Sequence, residues 1–325
     1  MAGETKKKWK IYSSRQLFSS VVELLKEKCD IEQWDHQNSC APLDVLLRGV
    51  AGKDGLLCGP MDKPITQEVL EAAGPNLKVV STLSAGFEHV DLQQLKKRNI
   101  RLGHTSGVLT DATAELAVAL LLCTSRHLIE SCQYLKSTTK MNWSPFWMCG
   151  PGLTGSTVGI IGFGRIGQAV GQRLKPFGVG KFLYCGRNPK PEAETLPAEF
   201  VSQDELLQQS DFIVVCCSLT PDSRGMINRE AFRKMKKTAI FVNISRGAVV
   251  NQDDLVEALH SGTIGAAGLD VTTPEPLPVD HPLLKMTNCV VLPHGMLSAM
   301  DMYMLAAQNL SAALEGKPAL SQVTL

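Results

Sequence analysis

The stretch TVGIIGFGRIG, residues 157–167, decides how this chain is read. Its first six residues are mostly apolar and read as a buried strand. GFGRIG follows without a break, and residues 168–174 carry on with helical character. Gly162, Gly164 and Gly167 stand at G-x-G-x-x-G spacing. The first glycine permits a tight turn, the second lets backbone N–H groups approach a pyrophosphate, and the third lets helix and strand pack closely. The helix N-terminus then faces the phosphates. Alone, such a triplet is often only a turn. Placed between a strand and a helix, it reads as a dinucleotide cradle built from Gly162, Phe163, Gly164, Arg165, Ile166 and Gly167.

Outward from this loop the same alternation recurs. KFLYCG, DFIVVCCS, TAIFVNIS, IGAAGLDV and NCVVLP read as further strands. Their near-continuous apolar character fits a parallel sheet buried on both faces. On the N-terminal side, WKIYSS, CDIEQWD, GLLC and LKVVSTLS are strands. The helices between them are expected over residues 15–28, 42–50, 65–73 and 91–98. This order predicts an α/β chain with two Rossmann-like, doubly wound parallel sheets. Residues 110–137 read as one long helix, followed by the Trp-, Pro- and Gly-rich loop NWSPFWMCGPGLTG. A last helix, residues 298–315, shows one apolar face.

Composition narrows the function. The chain has 325 residues, enough for about two domains. Lys and Arg total 33 against 32 Asp and Glu, a net charge of +1. That argues against a nucleic-acid binder, which usually carries a basic excess. The ten cysteines form no C-x-x-C pair and no His stands at zinc-finger spacing, so no metal site is expected. Free thiols in apolar runs suit a reducing, intracellular setting. The charged start MAGETKKKWK is no secretory signal, and no apolar run is long enough to span a bilayer. The expectation is a cytoplasmic protein without a membrane partner.

Ligands of open α/β sheets bind beyond the carboxyl ends of the strands. KFLYCG ends in Gly186, Arg187 and Asn188, where a dinucleotide enzyme preferring NAD usually carries Asp or Glu. No carboxylate there repels a 2′-phosphate, and Arg187 can grip one with its planar fork. NADP(H) is therefore the expected cofactor, with NAD(H) as the weaker alternative. Arg246, Glu275 and His294 each lie just past a later strand. Histidine is the acid nearest neutrality, a carboxylate beside it raises its pKa, and arginine orients a substrate carboxylate. Those three types suit reduction of a 2-oxo acid. The other six histidines, His89 and His104 among them, read as structural.

At these residues the sequence resembles the D-isomer-specific 2-hydroxyacid dehydrogenases, and within them the glyoxylate/hydroxypyruvate reductase branch. The motifs that carry this are LKVVSTLSAGFEHVD, VLTDATAELAVALLL, STVGIIGFGRIGQA, RLKPFGV, DFIVVCCSLTP, NISRGAVVNQDDL, AAGLDVTTPEPLP and VVLPH. The resemblance covers almost the whole chain. It implies a substrate-binding domain of residues 1–109 plus 299–325, a cofactor domain of residues 110–298, and an active site in the cleft between them. It makes Arg246, Glu275 and His294 the catalytic trio, with His294 as acid/base. Arg246 and His294 also touch the substrate, alongside the backbone of Ala85 and Gly86 and the side chain of Trp143, which reaches a neighbouring subunit in a homodimer. Ser218, Pro221, Ile244, Asp270 and Gly295 line the cofactor. The reaction implied is NADPH-dependent conversion of glyoxylate to glycolate and of hydroxypyruvate to D-glycerate.

Two departures stand out. Where relatives read PHIGSAT, this chain reads PHGMLSAMD, and TSGVLTD lacks the proline that relatives often place there. Met296, Met300, Met302 and Met304 read as adaptable core filler. The altered segment keeps two rivals open: a nucleotide-sensing binding protein, and a dehydrogenase for another 2-oxo acid.

Overall fold

The computed structural model describes residues 8–36, 39–59, 62–138, 144–190, 196–294 and 299–325. The chain divides into two compact units, Met1–Leu109 with Ser298–Leu325, and Thr110–Leu297.

The first unit runs β1 (Trp9–Ser13), α1 (Ser19–Lys26), β2 (Cys29–Gln33), α2 (Leu43–Val50), β3 (Gly55–Cys58), α3 (Gln67–Ala73), β4 (Val79–Thr82), α4 (Leu92–Lys97) and β5 (Arg101–Gly103). The second runs α5 (Thr110–Ser125), α6 (Leu128–Ser137), β6 (Thr157–Ile161), α7 (Arg165–Leu174), β7 (Lys181–Cys185), β8 (Ala198–Phe200), α8 (Gln203–Gln209), β9 (Phe212–Val215), α9 (Arg229–Lys234), β10 (Ile240–Asn243), α10 (Gln252–His260), β11 (Ala266–Leu269) and β12 (Cys289–Val291). The chain then returns to the first unit with α11 (Ala299–Leu314) and β13 (Gln322–Val323).

The first sheet has the order β13-β5-β4-β3-β1-β2, parallel except for β13. The second has the order β12-β11-β10-β9-β6-β7-β8 and is parallel throughout. Strand order reverses at β6, so the glycine loop leaves the sheet at its switch point, where α/β sheets open a crevice.

The unbroken apolar runs of the second sheet have a direct cause. Phe212 and Val214 of β9 enter one core with Val158, Ile240 and Val242. Ile213 and Val215 enter the opposite core with Phe232, Phe241 and Leu255. Successive side chains point to opposite faces. Both faces are covered, so every position must be apolar. Met302 and Met304 pack against a core of the first unit, as gap-filling methionines do, whereas Met300 is 41% exposed and Met296 lies outside the described residues.

The helix expected over residues 110–137 is instead two, α5 and α6, meeting at a 55° bend. His127 adopts a left-handed φ of 51° at the junction. Just before it, Thr124 Oγ1 donates to the Leu120 carbonyl at 2.7 Å and Ser125 Oγ to that of Leu122 at 3.4 Å. Such back-bonding bends a helix. Gly150 also fits so close to the Ser125 carbonyl that a Cβ there would sit 1.7 Å from its oxygen. Among the described residues, no single helix is long and apolar enough to cross a membrane.

Candidate active site

The glycine loop shows a different constraint at each glycine. Gly162 has φ of 92°, and a Cβ on it would strike the Cys217 backbone at 2.6 Å. Gly167, in the first turn of α7, would drive a Cβ into the Gly162 carbonyl at 2.3 Å. Gly164 is the opposite case, since nothing lies within 4 Å of its would-be Cβ. Two glycines are therefore demanded by the protein's own packing. The third leaves open space in front of a helix N-terminus, where the leading N–H groups have no helical acceptor.

That space belongs to a cavity of about 920 Å³. Its wall includes Gly162, Phe163, Gly164, Gly186, Arg187, Asn188 and Ser218. Arg165, Ile166 and Gly167 form the first turn of α7 behind it. Pro221 sits between the lining residues Thr220 and Asp222. Ile244 is a core residue, and Asp270 is buried just past β11. Lys190, Ser202 and Gln203 add to the polar wall. They were not legible in the sequence because they lie past β7 and at the start of α8, away from any motif. Arg187 is exposed and makes no ion pair among the described residues. Burial pushes the Cys185 thiol up to about 12 and the Cys217 thiol to about 11, and raises that of Cys216 as well, so none of the three wall cysteines is a ready nucleophile.

The site's open space fits a dinucleotide: a donor-lined loop, a cation at its far end and room for the ligand. Trp143 and Gly295 lie outside the described residues.

The trio is assembled by three neighbouring loops. His294 follows β12, Glu275 follows β11 and Arg246 follows β10. His294 Nδ1 lies 2.8 Å from Glu275 Oε2. The other Glu275 oxygen accepts the Thr272 amide at 2.9 Å. The carboxylate partner places the ring proton on Nδ1 and leaves Nε2 for chemistry. The hydrogen bond to Glu275 raises the His294 pKa against the opposing effects of burial and Arg246. Burial alone would raise Glu275, but His294, the Thr272 amide and Arg246 together hold it below its usual range. His294 has a φ of 45°. A non-glycine residue in that region marks a position where local structure dictates the backbone.

Two side chains not singled out in the sequence fix these loops. Asn243, 1% exposed, donates to the Arg246 carbonyl at 3.0 Å and accepts from the Ser245 amide and hydroxyl. Gln252 donates to the Thr273 carbonyl at 2.6 Å and accepts its amide at 2.9 Å. Gly247 brings the two loops together, since a Cβ there would meet the Thr272 carbonyl at 2.0 Å. Burial raises the Asp270 carboxyl, and its Oδ1 has no hydrogen-bond partner among the described residues. A buried acceptor left open this way calls for a donor that the described residues do not supply.

In the first unit, Ala85 and Gly86 form the loop after β4. Among the described residues no acceptor takes the N–H of Ser84, Ala85, Gly86 or Phe87. All four carbonyls are taken: Ser84 by the Thr105 amide at 2.8 Å, Ala85 by His104 at 2.9 Å, Gly86 by Ser84 Oγ at 2.6 Å and Phe87 by the Val90 amide at 3.0 Å. The loop thus presents donors only, the polarity an anion needs.

Comparison with known proteins agrees with this geometry. Residues 118–295 match the model of the D-isomer specific 2-hydroxyacid dehydrogenase NAD binding domain. The chain is 57% identical over 302 residues to the human glyoxylate reductase/hydroxypyruvate reductase, covering 91% of this chain and 92% of the relative. It is 42% identical over 315 residues to the glyoxylate reductase of Thermofilum pendens, covering 95% and 92%. Its fold is similar to that of the TT0316 protein from Thermus thermophilus, with a TM-score of 0.88 at 39% identity over 97% of this chain and 100% of the other. It is also similar to a glyoxylate reductase from Paecilomyes thermophila, with a TM-score of 0.84 at 26% identity over 97% and 98%. A switch-point glycine loop, a His–Glu pair with a nearby arginine, and these likenesses together place the chain in the D-isomer-specific 2-hydroxyacid dehydrogenase family, as an oxidoreductase with a nicotinamide-cofactor domain.

Proposed function

We propose that the protein reduces glyoxylate to glycolate and hydroxypyruvate to D-glycerate, with NADPH as the preferred donor and NADH as the weaker one. The observation that carries this reading is the 2.8 Å contact between His294 Nδ1 and Glu275. It holds an imidazolium ready to give a proton from Nε2.

The nicotinamide, when bound, supplies the hydride that reaches C2 of the oxo acid. Everything else falls to the chain. Gly162 to Gly167 and the start of α7 hold the pyrophosphate, and Arg187 meets the 2′-phosphate. Asp270 Oδ1 accepts a donor from the nicotinamide side, with Ser218, Pro221, Ile244 and Gly295 around it. The amides of Ala85 and Gly86 take the substrate carboxylate, and Arg246 orients it. His294 protonates the oxygen as it gains charge, and Glu275 stabilises the imidazolium beforehand. In the reverse direction His294 is the base. On this reading, residues 1–109 with 299–325 bind substrate and residues 110–298 bind cofactor.

The protein is further read as a cytoplasmic homodimer in which Trp143 reaches the neighbouring copy. The observation behind the dimer is α6, which has no buried residue yet carries Leu128, Ile129 and Leu135 at 45%, 42% and 57% exposure. Steady-state assays with glyoxylate, hydroxypyruvate and pyruvate, each with NADPH and NADH, test the function. The highest kcat/KM is expected for the first two acids with NADPH. Preference for NADH removes the role of Arg187, and no turnover with any acid leaves a nucleotide-binding protein.

A further inference from the structure

The loop after β4 contains a feature that the carboxylate-cradle reading does not itself require. Two of its carbonyls are held by side chains, that of Ala85 by His104 and that of Gly86 by Ser84. His104 Nδ1 lies 2.9 Å from the Ala85 carbonyl, so Nδ1 must carry the proton. The His104 ring is set by an edge contact with Phe87, at a centroid distance of 5.6 Å. Its backbone is pinned on both sides: Asn309 donates to its carbonyl at 2.9 Å, and its amide donates to Ser321 at 3.1 Å.

A second chain of bonds ends one residue on. Ser84 Oγ donates to the Gly86 carbonyl at 2.6 Å, so its own oxygen must accept from Thr82 Oγ1, 2.7 Å away. Thr82 Oγ1 then accepts from His89 Nε2 at 3.0 Å. Every donor in the series points toward the loop.

A peptide group is one polarisable unit. A donor on its carbonyl draws electrons from the same group's nitrogen and strengthens that N–H as a donor. The Ala85 carbonyl and the Gly86 N–H belong to one peptide, so the His104 N–H donated to the Ala85 oxygen acts directly on the amide assigned to the substrate.

We propose that His104 is a positioning residue for the oxo-acid carboxylate: it fixes and polarises the Ala85–Gly86 peptide so that the Gly86 N–H meets the anion, supported by the His89–Thr82–Ser84 series on the next peptide. This rests on the cradle reading of Ala85 and Gly86. It gives a substrate-binding role to two histidines that sequence reading treats as structural.

Two substitutions separate the donor from the ring. His104→Phe keeps the packing on Phe87 and removes the proton. His104→Asn keeps a short N–H donor and removes the ring. Loss of one hydrogen bond of ordinary strength corresponds to about a fivefold change. KM for glyoxylate in His104→Phe is therefore expected to rise about fivefold, and Ki for oxamate, a non-reducible carboxylate analogue, to rise in step. KM for NADPH should stay at its wild-type value and Tm fall by at most a few degrees, the loss of one internal hydrogen bond, with kcat changed less than about twofold, because the interaction is equal in ground and transition states. His104→Asn should restore KM. A wild-type KM in His104→Phe, or a His104→Asn value as high as that of His104→Phe, overturns the proposal. Gly86→Pro, which deletes the N–H itself, separates the two readings. If it leaves KM for glyoxylate unchanged, the cradle reading has failed. If it raises KM while His104→Phe does not, only the role of His104 has failed.

Discussion

The two sheets end in loops of opposite design. After β4 in the first unit, Ser84 and His104 hold backbone carbonyls and Thr82 bonds Ser84, and what remains is a row of N–H groups with no acceptor among the described residues. After β10, β11 and β12 in the second unit the relation is reversed. There the Thr272 amide and the amide group of Asn243 hold backbone and carboxylate in place, and what remains is a set of ionisable side chains. A row of amides is a fixed dipole that recognises charge but never changes its own. A His–Glu pair titrates and can pass a proton on. On the proposed roles, binding and proton transfer call for different loop chemistry, even on two sheets built mainly of parallel strands.

The sharpest way to break this contrast is to remove the titrating group. His294→Ala should lower kcat by about 10² to 10⁴, the range for loss of a general acid, while KM for NADPH stays within about twofold. A kcat near wild type would show that the second edge is no more chemical than the first.

Replacing Glu275 by Gln tests the pair. The hydrogen bond from Glu275 raises the His294 pKa. On the proposed mechanism reduction needs His294 protonated, so activity should fall as pH rises through that pKa. In Glu275→Gln the alkaline limb should move to lower pH, with kcat at neutral pH down by about tenfold. A limb that does not move removes His294 from the profile. The same shifts predict stability. His294 is raised, so its share of the pair's stabilisation is complete below the unfolded histidine value of 6.5 and is lost as pH rises through the higher folded value. Glu275 is lowered, so its share is present above 4.5 and is lost as pH falls through the lower folded value. The wild-type Tm advantage over Glu275→Gln should therefore narrow toward both extremes, measured by calorimetry across pH.

A smaller effect is expected at the nucleotide. Arg187→Ala should raise KM for NADPH about tenfold and leave KM for NADH unchanged, the loss expected for one charge-assisted contact with phosphate. Equal effects on both cofactors would mean that the arginine does not read the 2′-phosphate.

The mildest test compares two glycines. Gly167→Ala meets a carbonyl at 2.3 Å and should lower Tm by several degrees, since overpacking costs about 1–3 kcal/mol. Gly164→Ala meets nothing within 4 Å and should keep its Tm, while binding of the dinucleotide weakens. Identical behaviour of the two would undo the distinction between packing and ligand space.

Much of this was legible in the sequence because it is periodic or local. The runs around Phe212 and Phe241 announce a doubly covered sheet, and the three glycines announce the turn into α7. Arg246, Glu275 and His294 were found by their places past strand ends. What stayed hidden depends on contacts distant in sequence. Asn309 reaches His104 from 205 residues away, and Gln252 holds Thr273 across 21. No spacing rule reports such pairs. The break between α5 and α6 was missed for another reason: Thr124, Ser125 and His127 are each tolerated in a helix, and only together do they end one.

The return of α11 to the first unit has a consequence for synthesis. This helix packs on β3, β4 and β5, and Ser81 Oγ bonds the Ala306 carbonyl at 2.8 Å. The first five strands leave the ribosome early, yet lack the helix that covers them until residue 314 has emerged. The second unit, Thr110–Leu297, is contiguous and complete before then. At about 5–20 residues per second, the earlier-made unit waits roughly ten to forty seconds for its cover. During that interval the strand face under Leu310 is open to chaperones, and the unit that began second is the first able to finish folding.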